Sequence, residues 1–203
     1  MLGRSWFSAR TALAGVVLAF SAVSASAQSS QVPGQAVFAF GGAFISGGVA
    51  ESLIPVTAPY EDNHILGVGY QKTLGQLGTD LSWGVEAGLA TRLGHVTSAE
   101  AWAGLMLRYD GFTLGDRVRI SPSFTAGLSA VTDPIGVERD REIEHNGDAT
   151  LLFYLGPEIS VTSLDNPNVE AFWRVHHRSG AWGSMGNMGD AANANVVGVR
   201  WHF

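Results

Sequence analysis

The sequence predicts an all-β protein, an eight-stranded antiparallel transmembrane β-barrel, on three observations. Eight segments with ~9 to 11 spanning residues alternate apolar and polar side chains, the period of a strand with two unlike faces. The second face repeatedly carries glycine, small polar residues and charges of both signs, and Lys72 is the only lysine in the chain. No stretch approaches the ~18 to 20 continuous apolar residues that a spanning helix requires. A secreted β-sandwich also alternates, but its polar face meets solvent and accepts lysine freely. A face of glycine, small polar groups and mixed charges suits a narrow lumen filled by its own side chains.

Met1 to Ala27 has the form of a secretory signal peptide: Arg4 and Arg10 lead, the apolar run Ala12 to Phe20 follows, and Ala25-Ser26-Ala27 supplies small residues for cleavage. Its removal leaves residues 28–203 as one barrel domain and moves the formal net charge from −6 to −8. That balance excludes nucleic acid as a natural partner, because phosphate binding rests on Lys and Arg. The chain has no cysteine, so disulfides, thiolate chemistry and Cys-ligated metals are excluded. With 26 glycines and 46% hydrophobic residues, it is too apolar to be disordered and too glycine-rich to be helical.

The first strand spans Ala36 to Ile45, with Phe38, Phe40 and Phe44 in one parity. An irregular segment, Ser46 to Asp62, leads to the second, His64 to Leu74, where Leu66, Val68 and Tyr70 oppose Gly67, Gly69 and Gln71. The third, Leu81 to Thr91, sets Leu81, Trp83, Val85, Ala87 and Leu89 against Ser82, Gly84, Glu86 and Gly88. The fourth, Ala99 to Tyr109, sets Ala101, Ala103, Leu105 and Leu107 against Glu100, Trp102, Met106 and Arg108. The fifth runs from Arg117 to Ser129 with Phe124 and Leu128 outside. Ala130 to Gly147, rich in Asp, Glu and Arg, reads as a long solvated loop. The sixth strand covers Ala149 to Val161, the seventh is EAFWRVHHRSG at Glu170 to Gly180, and the eighth is Asn193 to Phe203.

The eighth segment, with Val197, Val199, Trp201 and Phe203 in one parity, resembles the last strand of outer-membrane barrel proteins, which usually ends in an aromatic residue. In such barrels short turns lie on the periplasmic side and long loops outside. The seventh strand then runs outward. Its apolar face, Val169, Ala171, Trp173 and Val175, continues into His177 and Ser179 at the level of the external leaflet. A polar pair facing lipid costs free energy unless its members are hydrogen-bonded. A histidine and a serine two residues apart on one face fit nucleophilic attack on an ester, with Ser179 as nucleophile and His177 as general base.

A third group must then hold the imidazole in the right tautomer. Asn193 and Asn195 share the lipid-facing parity of the eighth strand, and Asp190 lies in the loop before it. A near-symmetric hairpin places Asn193 about 5 Å from His177. Gly180 offers an N–H to an oxyanion with no side chain in the way. His176 points to the opposite face and cannot share a metal ion with His177. It is expected in a lumen network with Arg174, Glu170 and Arg200, as are Glu86, Glu100, Glu158, Arg108, Arg117 and Arg119.

The signal peptide, the eight strands, His177-Arg178-Ser179 at the outer end of the penultimate strand and the terminal aromatic together resemble the lipid A 3-O-deacylase (PagL-like) family of outer-membrane acyl hydrolases. The resemblance covers the mature chain as architecture, while its motif is confined to His177 through Phe203. It implies a serine esterase that removes the ester-linked acyl chain at the 3-position of lipid A, with lipopolysaccharide as substrate, the outer membrane as location and no cofactor or metal. It also leaves room for a homodimer. His177 and Ser179 match the family's histidine and serine; Asn193 stands near the position of the family's glutamate, and Gly180 stands where asparagine often follows the serine. The rival expectations are a non-catalytic barrel with a structural or surface-binding role and, less favoured, a small channel.

Overall fold

The computed structural model describes residues 34–203, and the signal-peptide segment lies outside them. Nine strands and two helices follow in order: β1 (Gln35–Ile45), α1 (Val49–Ser52), β2 (Tyr60–Gln76), β3 (Leu81–Leu93), β4 (Ser98–Tyr109), β5 (Phe112–Leu114), β6 (Val118–Val131), α2 (Val137–His145), β7 (Leu151–Ser163), β8 (Val169–Ser179) and β9 (Asp190–His202). The three-residue β5 only folds back on the start of β6. The other eight pair antiparallel in sequence order, β4 pairs directly with β6, and β9 returns to pair with β1. The sheet therefore closes into an eight-stranded barrel with no free edge along its main wall.

Alternation sorts the side chains as strand geometry requires. Leu66, Val68, Leu89, Leu105, Leu107, Phe124, Ile159, Val161, Val197 and Val199 are exposed on the outer wall. In a lipid-embedded barrel this belt meets acyl chains. Inside, Phe38, Phe40, Trp102, Tyr154 and Phe172 are buried in one cluster. Glycine makes that possible: a Cβ on Gly69 would lie 2.2 Å from the Phe38 ring, and one on Gly88 would lie 2.2 Å from the Trp102 ring.

The charged lumen residues pair with one another. Arg174 donates from both terminal nitrogens to Glu86 at 2.7 Å and from Nε to Glu158 at 2.9 Å. Arg200 bridges Glu158, at 2.7 Å, and Glu170, while Arg108 donates to Glu170 at 3.0 Å. Five of these charged residues, Glu86, Glu158, Glu170, Arg174 and Arg200, are almost wholly buried, so each would be costly without its partner. His176 bonds Glu100 at 2.7 Å rather than Glu170, because it sits higher in the barrel than the Arg174, Glu170 and Arg200 group. Arg117 is exposed and Arg119 half-buried near the start of β6, outside the network.

Besides the one-turn α1, the short β5 and shifts of one or two residues at other strand ends, three segments depart from the expectation. The second strand begins at Tyr60 and extends to Gln76, and the last begins at Asp190, because pairing continues past the apolar band. The third departure is Ala130 to Gly147, where α2 replaces the solvated loop and ends at Asn146 in the left-handed conformation. Its buried group is a carboxylate: Glu138 pairs with Arg92 at 2.6 Å and with Arg178, both projecting into the lumen. The helix thus stoppers the outer end of the barrel through ion pairs, with no apolar stripe to announce it.

Candidate active site

The β8–β9 hairpin builds the site. Its register places His177 opposite Asn193, and the His177 ring nitrogen Nδ1 lies 2.6 Å from Asn193 Oδ1. The Asn193 amide nitrogen donates to Asp190 Oδ1 at 2.9 Å and to the Gly47 carbonyl at 3.2 Å, both pure acceptors. The amide oxygen must therefore be the atom that faces His177. An amide oxygen only accepts, so Nδ1 carries the proton and Nε2 keeps its lone pair. The ring is thereby prepared as a base. His177 is only 5% exposed despite its outward parity, because the chain between β1 and β2 lies against this part of the wall.

Ser179 stands on the same face two residues on, about 7 Å along the strand from His177 at the backbone. Its hydroxyl donates to the Gly189 carbonyl at 3.1 Å and accepts the Ala181 N–H at 3.1 Å. The hydroxyl proton rests on a carbonyl, not on the imidazole. Gly180 donates its N–H to the same Gly189 carbonyl at 2.7 Å, so that N–H is engaged within the hairpin and not directed at an oxyanion. The donor that faces the Ser179 oxygen is Ala181. Gly180 also has no space for a side chain, since a Cβ would lie 2.1 Å from the Met188 carbonyl oxygen. An asparagine cannot occupy this position in this loop.

Beyond Ser179 the chain turns through Ala181 and Trp182, both at positive φ, and Trp182 stands 98% exposed. Two successive non-glycine residues in the left-handed region store strain beside the candidate nucleophile. Across the hairpin the register shifts between Arg178 and Ser179: Arg178 pairs with Ala192, while Ser179 pairs with Asp190. Ala191 is the extra residue of a β-bulge. The bulge brings Asp190 Oδ1 to 3.7 Å from His177 Nδ1.

Asn195 is not part of this constellation. It faces Val175 one layer deeper, accepts from Trp173 Nε1 at 3.1 Å and donates to the Tyr60 hydroxyl at 3.2 Å. Gly47, Val49, Arg141 and Ala181 were not legible at the site from the sequence, because each contact there involves a backbone N–H or carbonyl, which leaves no side-chain pattern. Arg141, from α2, donates to the Ala191 and Gly47 carbonyls at 2.9 and 3.2 Å. His176 and His177 point to opposite faces of the wall, and among the described residues no cluster of His, Asp and Glu is placed to hold a metal ion.

No protein-family model and no curated protein matches the sequence. Solved structures do match the fold. The outer membrane enzyme PagL superposes with a TM-score of 0.52 at 16% identity, over 82% of this chain and 98% of that one. Neisserial surface protein A superposes with a TM-score of 0.52 at 14% identity, over 85% and 99%. The chain is an eight-stranded β-barrel of the outer-membrane type. At these identities the likeness is one of fold, and the fold carries an enzyme in one neighbour and a surface protein in the other.

Proposed function

We propose that the protein is an outer-membrane serine esterase that removes an ester-linked acyl chain, at the 3-position, from lipid A of lipopolysaccharide. The observation that carries this reading is the His177–Asn193 contact: it leaves the second imidazole nitrogen without a hydrogen on the outward parity of the wall, two residues from a serine. Among the structures that share the fold, one is an outer membrane enzyme.

In this reading a turn about χ1 carries the Ser179 hydroxyl from the Gly189 carbonyl to His177 Nε2. The hydroxyl proton passes to Nε2 as Oγ attacks the ester carbonyl. The Ala181 N–H, 3.1 Å from Oγ in the resting site, turns to the oxyanion that forms on the attacked carbon. Collapse breaks the bond to the sugar oxygen, which takes the proton from His177. Water, deprotonated by the same imidazole, then releases the fatty acid and restores Ser179. Asn193 holds the ring throughout.

A non-catalytic barrel is the rival, and one observation favours it: the resting Ser179 hydroxyl is bonded away from His177. Purified protein incubated with lipid A in detergent micelles separates the two. Release of a 3-hydroxy fatty acid by the wild type, absent in Ser179→Ala and His177→Ala, supports the esterase; no release by a folded wild type supports the non-catalytic barrel.

A further inference from the structure

We infer that Asp190 is a positioning residue of this site, fixing the Asn193 amide and so the His177 tautomer, and supplying the negative charge that Asn193 lacks. The inference rests on the esterase reading for its kinetic part. The carboxylate divides its two oxygens. Oδ1 accepts from Asn193 Nδ2 at 2.9 Å and lies 3.7 Å from His177 Nδ1. Oδ2 accepts the Val49 N–H of α1 at 3.0 Å. Arg141 of α2 lies 3.6 Å from Oδ1, so three separate segments converge on one side chain.

The amide is where this matters. A primary amide can turn over and present either oxygen or nitrogen to its neighbour. Turned over, Asn193 would present N–H to Nδ1, force the proton onto Nε2 and abolish the base. Two acceptors, the Asp190 carboxylate and the Gly47 carbonyl, hold the productive orientation. Only the carboxylate also carries charge, and an imidazolium forming 3.7 Å away is stabilised by it. The site thus reaches a carboxylate through an amide.

Three variants and two readouts test this. Asp190→Asn keeps the shape and an acceptor but removes the charge; kcat on lipid A should fall about tenfold or more with KM within about twofold. Moving the carboxylate onto the histidine, in Asp190→Asn with Asn193→Asp, should recover most of that loss. Asp190→Ala weakens the hold on the amide, and 15N NMR of His177 in micelles should then show both tautomers where the wild type shows Nδ1–H alone. An Asp190→Asn enzyme at wild-type kcat, or a double variant no better than the single one, overturns the charge role. A single tautomer in Asp190→Ala overturns the positioning role. If the wild type cleaves no ester, the esterase reading fails, and the tautomer measurement still decides Asp190's part in holding the ring.

Discussion

A histidine is a useful base only when its proton sits on the far nitrogen, and at His177 an asparagine carbonyl makes that choice. Replacing Asn193 by alanine frees the ring and removes the barrier to the wrong tautomer. We expect a loss of about a hundredfold or more in kcat, since a wrong tautomer disables a triad even when its geometry survives. Ser179→Ala should abolish ester cleavage while costing only about 1 kcal/mol of stability, the worth of its hydrogen bonding. Circular dichroism and heat-modified electrophoretic mobility would register any wider damage. Gly180→Ala should instead distort the outer loop, because the new Cβ meets backbone oxygen at 2.1 Å; faster proteolysis between Gly180 and Gly189 is the check. Alternation alone was enough to bring His177, Ser179 and Asn193 together on the outer face. Asp190 was hidden. Its even number assigns it to the lumen side of β9, and the single inserted residue Ala191 reverses that parity without leaving a mark in the sequence.

At the scale of elements, the strands were legible because each has an apolar face of period two, and their extensions beyond the apolar band were not. The helix α2 was illegible for a different reason. Its sequence, VERDREIEH, has the composition of a solvated segment, and what it buries is Glu138 between Arg92 and Arg178. Removing that carboxylate leaves two buried guanidinium groups short of a partner. Glu138→Ala should therefore cost about 3 to 5 kcal/mol. The expected signs are a lower urea midpoint on unfolding from micelles and earlier cleavage within Val137–His145. A variant as stable as the wild type would mean that α2 rests on the barrel without stabilising it.

For the whole molecule, the wall and the interior divide the work. Rings seated over glycines and the Arg174, Arg200, Glu86 and Glu158 network fill the lumen; the proposed esterase would therefore work on the outer wall, with its substrate entering sideways from the leaflet. Planar bilayers containing the protein should show no steady conductance; a stable open level would mean that the network parts. The central claim concerns lipid A itself. Mass spectrometry of lipid A from Gram-negative cells expressing the wild type, beside cells expressing Ser179→Ala folded to the same level, tests it most directly. The account predicts the loss of one hydroxyacyl chain with the wild type only. Unchanged lipid A in both, with the wild type confirmed in the outer membrane, would contradict it.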